Sequence, residues 1–423
     1  MRVRISELKF KIIYILCLLM PFHVLFFNII NAEFLTLWRD VFILLLLCLT
    51  FISGKLKSNP LSLFLFIRTI LCVLFALIFH DSSMSPFIWI NVLRIYIVPS
   101  LVAISLFYTT INLQIMKKIC KLYVLTASAI STFGLFQLFF WGRPYLRLIG
   151  VPQASVLLAD GTQRNIGVFE SANVMGVYLL IALILVIQID NLFKHAHFKN
   201  MNIFIIGVGI IFTYSMSTFL AMAIIGFVKV STLNAHSVKA KRLLKALILL
   251  LIAAILFAII VGLNPGILLT LQKQLGEKIT DVILTLSGKN PISTSSAAIH
   301  FNGLVNGIHI ISKNLNGLGF AKESFMVSDK VSGRMLIGTV ESSFFTILFD
   351  FGLIVGGLYL APYFWGLTKR NRCSDKRISE AFQYLSILFI VAYIFLPLIQ
   401  SYELTFFYFM FTGLFCSYRK RGE

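Results

Sequence analysis

IIYILCLLMPFHVLFFNII (residues 12–30) runs for the length of a membrane crossing without one charged side chain. After a brief interruption, LTLWRDVFILLLLCLTFIS (35–53) nearly repeats this before the basic tetrapeptide GKLK (54–57). A helix rises about 1.5 Å per residue, so roughly 20 apolar residues cross a hydrocarbon layer of about 30 Å. Two crossings joined by a short turn are the expectation. The same pattern continues along the chain, with apolar runs near 11–31, 35–53, 60–80, 86–108, 121–141, 166–189, 202–214, 216–230, 243–263, 341–366, 382–399 and 403–417. The predicted fold is therefore an all-α integral membrane protein of about twelve transmembrane helices.

The composition agrees, because 58% of the 423 residues are hydrophobic and only 13% are charged. A formal net charge of +20 would suggest nucleic acid if the cations formed one stripe. Here they stand in short clusters between apolar runs, which is a topological pattern. The six cysteines form no CxxC pair and no metal-ligand spacing, so neither a disulfide framework nor a zinc site is expected. The opening MRVRISELKFK followed by an apolar stretch lacks a small-residue cleavage site and reads as an uncleaved first span.

Placing the first residues inside puts GKLK, MKKICK, FKHAHFK, VKAKRLLK, TKRNRCSDKR and YRKRGE on the cytoplasmic side. About 24 Lys and Arg then lie inside against about 10 outside, so both termini are expected to be cytoplasmic. The stretch 202–230 is long for one helix and short for two, with Thr213, Ser215, Ser217 and Thr218 suggesting a tight outer turn. Four regions follow: N-terminal helices over 1–141, further helices with an Arg-rich outer loop over 142–263, a large outer loop over 264–338, and C-terminal helices with a basic tail over 339–423. Within the large loop, LLTLQKQLGEKITDVILTL and IHFNGLVNGIHIISK space their apolar residues helically, so short helices are expected there.

Ionisable side chains inside hydrocarbon are costly, which marks Arg39, Arg68 and Arg94. Arg39 lies close enough to its span's end to snorkel, while Arg68 and Arg94 are either functional or paired with a carbonyl or carboxylate in the bundle. At the outer rim stand Arg143, Arg147, Arg164 and Arg334, and four guanidiniums invite a bidentate anion such as phosphate. Arg143 and Arg147 flank aromatic residues and equally suit interfacial anchoring. Arg164 directly precedes a polar-to-apolar transition, NIGVFESANVMG, where a helix N-terminus and an Arg would together cradle phosphate; plain capping by Ser171 or Asn173 is the alternative. His300 and His309 are the histidines of the large loop, with chemistry suited to a general base. Glu341 enters the next span, where it would orient an Arg, accept a sugar hydroxyl or cap the helix. Asp350, deeper in that span, is expected to pair within the bundle.

RNIGVFESANVMGVYL (164–179), TYSMSTFLAMAI (213–224), NLNGLGF (314–320) and VESSFFTILFDFGLIVG (340–356) occur in this order. In succession they resemble the O-antigen ligase and Wzy-type polysaccharide polymerase superfamily, membrane glycosyltransferases of the GT-C type, over roughly residues 160–360. One departure is Ser215, Met216, Ser217, where many members have Ser-Arg-Gly. The resemblance implies a metal-independent, cofactor-free inverting glycosyltransferase in the bacterial plasma (inner) membrane, with its site on the extracytoplasmic face. Its donor would be an undecaprenyl-diphosphate-linked oligosaccharide. Carried over, His300 would be the base, Arg164 would hold the diphosphate and Glu341 would orient the site. Arg334, Asn173, Arg147 and Arg94 complete the candidate contacts to diphosphate or glycan.

Within the superfamily a polymerase of repeat units is favoured over a ligase, because the large loop is sparse in charge. A lipid-linked oligosaccharide flippase is the main alternative of another class, with Arg68 and Arg94 lining a cavity. A chain-length regulator would show few spans and a sustained heptad, and no heptad is present. The partners expected are the bilayer, the lipid-linked donor, and the regulator and flippase of the same pathway, with no nucleic acid.

Overall fold

Long apolar runs without Gly or Pro clusters can satisfy their backbone in lipid only as helices. The computed structural model describes residues 2–30, 37–53, 60–79, 86–109, 111–141, 163–231, 296–320, 342–368 and 375–418, and among them the fold is helical with no strand. The helices are α1 (Arg2–Leu19), α2 (His23–Ile30), α3 (Trp38–Ile52), α4 (Pro60–Ile78), α5 (Pro86–Phe107) and α6 (Leu113–Phe136). They continue as α7 (Ala172–Gln188), α8 (Ala196–Ile211), α9 (Met216–Ser231), α10 (Ser296–Lys313), α11 (Ser343–Trp365), α12 (Lys376–Phe395) and α13 (Tyr402–Ser417). A single 3-10 turn, Met20–Phe22, joins α1 to α2 at Pro21, which cannot donate to the α-helical ladder.

Among the described residues, six helical stretches are long and apolar enough to cross a membrane: Ile5–Phe26, Pro60–Ile78, Trp89–Phe107, Leu113–Phe140, Ser343–Trp365 and Lys376–Phe395. Ala172–Gln188, Ala196–Ile211 and Met216–Lys229 are shorter apolar helices. Every apolar run named above carries helix except 243–263, which lies outside the described residues. Four helices begin earlier than hydropathy suggests, at Arg2, Leu113, Ala196 and Lys376, because basic and polar turns extend them past the apolar stretch. One begins later: NIGVFES folds as a turn with Gly167 at φ +55° before α7 starts.

The stretch 202–230 is two helices, with Phe212–Ser215 as the turn between them. Tyr214 there has φ +50°, a conformation that costs a non-glycine residue about 1–3 kcal/mol and must be held by its surroundings.

The core lies around α7 and α13. From Tyr402 to Phe415 every residue of α13 is buried, as is expected of a helix apolar on all sides. It packs along α5 and α12. By contrast α3 and α4 leave Val41, Leu44, Phe51, Leu63, Phe66 and Ile70 exposed, a surface that suits lipid rather than water. Small residues bring α6, α7 and α8 close: Ser131 Oγ donates to the Ile205 carbonyl at 2.8 Å, and a Cβ added at Gly209 or Gly134 would collide with Ser131 or Asn165.

α10 packs against α11 and leads into the NLNGLGF turn, which docks on a break in α11. Gly352 has φ +69° and ψ 178° inside that helix, so the ladder opens there. The NLNGLGF turn closes it: Leu318 N–H donates to the Phe349 carbonyl at 2.7 Å, and Leu353 N–H donates to the Leu315 carbonyl at 2.8 Å. A Cβ on Gly352 would meet the Asn316 backbone at 2.7 Å. Gly352→Ala is therefore expected to lower stability by at least about 2 kcal/mol, read as a lower thermal midpoint in detergent; an unchanged midpoint would show that the break relaxes without cost.

Candidate functional site

Arg164 emerges just before the first turn of α7 and reaches the turn between α8 and α9. Its Nε donates to the Thr213 carbonyl at 2.8 Å and its Nη2 to Asn173 Oδ1 at 2.9 Å. The neighbouring Asn165 is fully buried and donates its backbone N–H to the Phe212 carbonyl at 2.8 Å and its side-chain Nδ2 to the Gly209 carbonyl at 3.3 Å. Arg164 and Asn165 thus satisfy the open carbonyls at the end of α8, where a cation also meets the negative end of the helix dipole. Ser171 is the N-cap of α7, accepting from Val174 N–H. That leaves Asn173 free to hold the guanidinium. The adjoining hydroxyls form a buried ladder, Thr218 Oγ1 to Ser215 Oγ at 3.0 Å and Ser215 Oγ to Ser217 Oγ at 3.1 Å, packed against Gly176 of α7.

Electrostatically, Arg164 is a half-buried cation whose two partners are neutral. No carboxylate pairs with it and its Nη1 has no partner among the described residues. Burial lowers its guanidinium from the ordinary 12.5 to about 10, still far above neutrality, so the charge persists and has no counter-ion among the described residues.

Other arginines are held differently. Arg39 Nη1 meets Glu403 Oε1 at 2.6 Å and its guanidinium lies over the Tyr402 ring at 3.9 Å. Arg94 pairs with Asp40 at 3.2 Å, whose other oxygen accepts the Tyr402 hydroxyl at 2.5 Å. Four charges from α3, α5 and α13 therefore cancel in one buried cluster. Arg68, 2% exposed, donates to the Tyr359 carbonyl at 3.3 Å and lies beneath the Tyr359 and Phe409 rings. Asp350 accepts the Tyr96 hydroxyl at 2.5 Å, within the bundle.

Of the residues singled out from sequence, the structure brings Arg164 and Asn173 together. Arg94 sits apart, engaged by Asp40. His300 lies on α10 two turns before Gly307, which packs on Phe345 of α11. Its side chain is outside the described set, and His309 is exposed. Arg143, Arg147, Arg334 and Glu341 lie outside the described residues. Sequence reasoning missed Glu403 and Asp40, although a carboxylate inside an apolar run demands a partner just as an arginine does. It also missed Asn165, for which no local signal exists. No protein-family model and no curated protein matches this chain.

Proposed function

We propose that this protein is a polymerase of the bacterial plasma membrane, joining undecaprenyl-diphosphate-linked oligosaccharide repeats into a surface polysaccharide. On the sequence expectation of twelve crossings with both termini in the cytoplasm, Arg164, the start of α7 and the Phe212–Ser215 turn would lie on the outer side. The observation that carries the function is the half-buried Arg164 cation, fixed by neutral acceptors and without a counter-ion among the described residues. Such a group suits an anionic leaving group better than a structural ion pair does.

In this scheme the acceptor sugar hydroxyl attacks the anomeric carbon opposite the diphosphate. The new bond joins that carbon to the acceptor oxygen, the carbon–oxygen bond to diphosphate breaks, and the configuration inverts. The hydroxyl proton passes to a base, for which His300 is the candidate, and the charge developing on the diphosphate is met by Arg164, with Arg334 as a second contact. Glu341 orients the site.

The test is the size distribution of surface glycan, with its lipid carrier analysed, in cells lacking the protein. Single repeats on their normal anchor are expected. Long chains still on the lipid carrier would replace polymerase by ligase, and single units held at the cytoplasmic face would replace it by transport.

A further inference from the structure

The described arginines inside the bundle divide by the chemistry of what holds them. Arg39 and Arg94 are held by the carboxylates of Glu403 and Asp40, and an arginine so paired presents no net charge to a ligand. Arg68 has a carbonyl partner but is sealed beneath aromatic rings at 2% exposure. Arg164 alone among these four combines neutral partners with partial exposure among the described residues.

From this contrast we infer that Asn173 is a positioning residue, whose amide oxygen orients Arg164 for a diphosphate while, being uncharged, it leaves the cation unneutralised. This rests on the diphosphate-binding role proposed above and departs from the direct substrate contact expected of Asn173 from sequence. Two features of the geometry support it. Thr213 O and Asn173 Oδ1 fix Nε and Nη2, so the guanidinium plane is set before any ligand arrives. The fixed plane leaves Nη1 as the nitrogen that no described residue engages. Ser171 performs the helix capping, so Asn173 is not retained for that purpose.

Asn173→Asp keeps an acceptor at the same atom and turns a neutral contact into an ion pair. Asn173→Leu removes the acceptor and leaves the charge. A purely structural role predicts that the Asp variant outperforms the Leu variant in every respect; a positioning role with charge preservation predicts opposite orders for stability and for anion binding.

The experiment measures the affinity of the purified full-length protein in nanodiscs for undecaprenyl diphosphate, alongside its thermal midpoint, for wild type, Asn173→Asp, Asn173→Leu and Arg164→Ala. The expected result is a midpoint for the Asp variant at or above that of the Leu variant, with the Asp variant binding roughly tenfold to a hundredfold more weakly than wild type and more weakly than the Leu variant. Asp binding as tightly as wild type while Arg164→Ala binds weakly would overturn the role of Asn173 and leave the diphosphate site standing. Unchanged binding by Arg164→Ala would instead remove the site itself. An Asp variant that fails to accumulate where the Leu variant accumulates would also sink the inference, since it would show that the carboxylate is not accommodated beside Arg164.

Discussion

Arg164→Ala is expected to reduce polymer formation by roughly 10²–10³-fold, the loss typical of deleting one preorganised donor to a developing negative charge, while the protein still reaches the membrane. The substitution also removes the bonds to Thr213 and Asn173, so some stability is lost as well. That loss is limited, because Asn165 continues to satisfy the Phe212 and Gly209 carbonyls. Arg164→Lys separates the two effects. A lysine keeps the charge but cannot reach two acceptors in a fixed plane, so activity should fall between wild type and alanine. Polymer of normal length and amount from well-expressed Arg164→Ala would end the assignment.

Glu403→Ala is expected to be strongly destabilising, at about 3–5 kcal/mol, because it leaves the Arg39 guanidinium buried without its paired carboxylate. Both side chains are 7% exposed, and water cannot readily replace the carboxylate. The double variant Arg39→Met with Glu403→Leu should recover most of the loss, since an apolar pair of similar volume avoids desolvating two charges. Unfolding free energies in detergent for both single variants and the double variant give the coupling directly. A single Glu403→Ala variant as stable as wild type would mean that another group compensates Arg39.

Helix placement was legible in the sequence because it is local: a run of apolar residues of the right length must close its own hydrogen bonds in lipid. The division of 202–230 into two helices was legible for the same reason, through the hydroxyl cluster at Thr213–Thr218. Three features were not legible. The Arg39–Glu403 pair joins positions 364 residues apart, and no pattern along the chain announces which carboxylate an arginine will find. FDFGLIVGG reads as one uninterrupted apolar helix, and only the docking of NLNGLGF shows why Gly352 leaves it. In ESAN, Ser171 and Asn173 are equally good caps on paper, and the geometry alone gives capping to one and the guanidinium to the other. At the candidate site, Arg164 stood out from its place before a helix, whereas its neutral partners include a turn almost fifty residues later.

The buried course of α13 has a consequence for biogenesis. This helix follows every other described helix in the chain, so it leaves the ribosome after them, yet it occupies the centre around which they pack. Until it arrives, the translocon and the lipid must hold the preceding segments in a provisional arrangement, with Arg39 waiting for a partner that has not been translated. A chain interrupted before residue 403 would leave two arginines, Arg39 and Arg94, sharing the single carboxylate of Asp40, one positive charge in excess where the finished molecule has none.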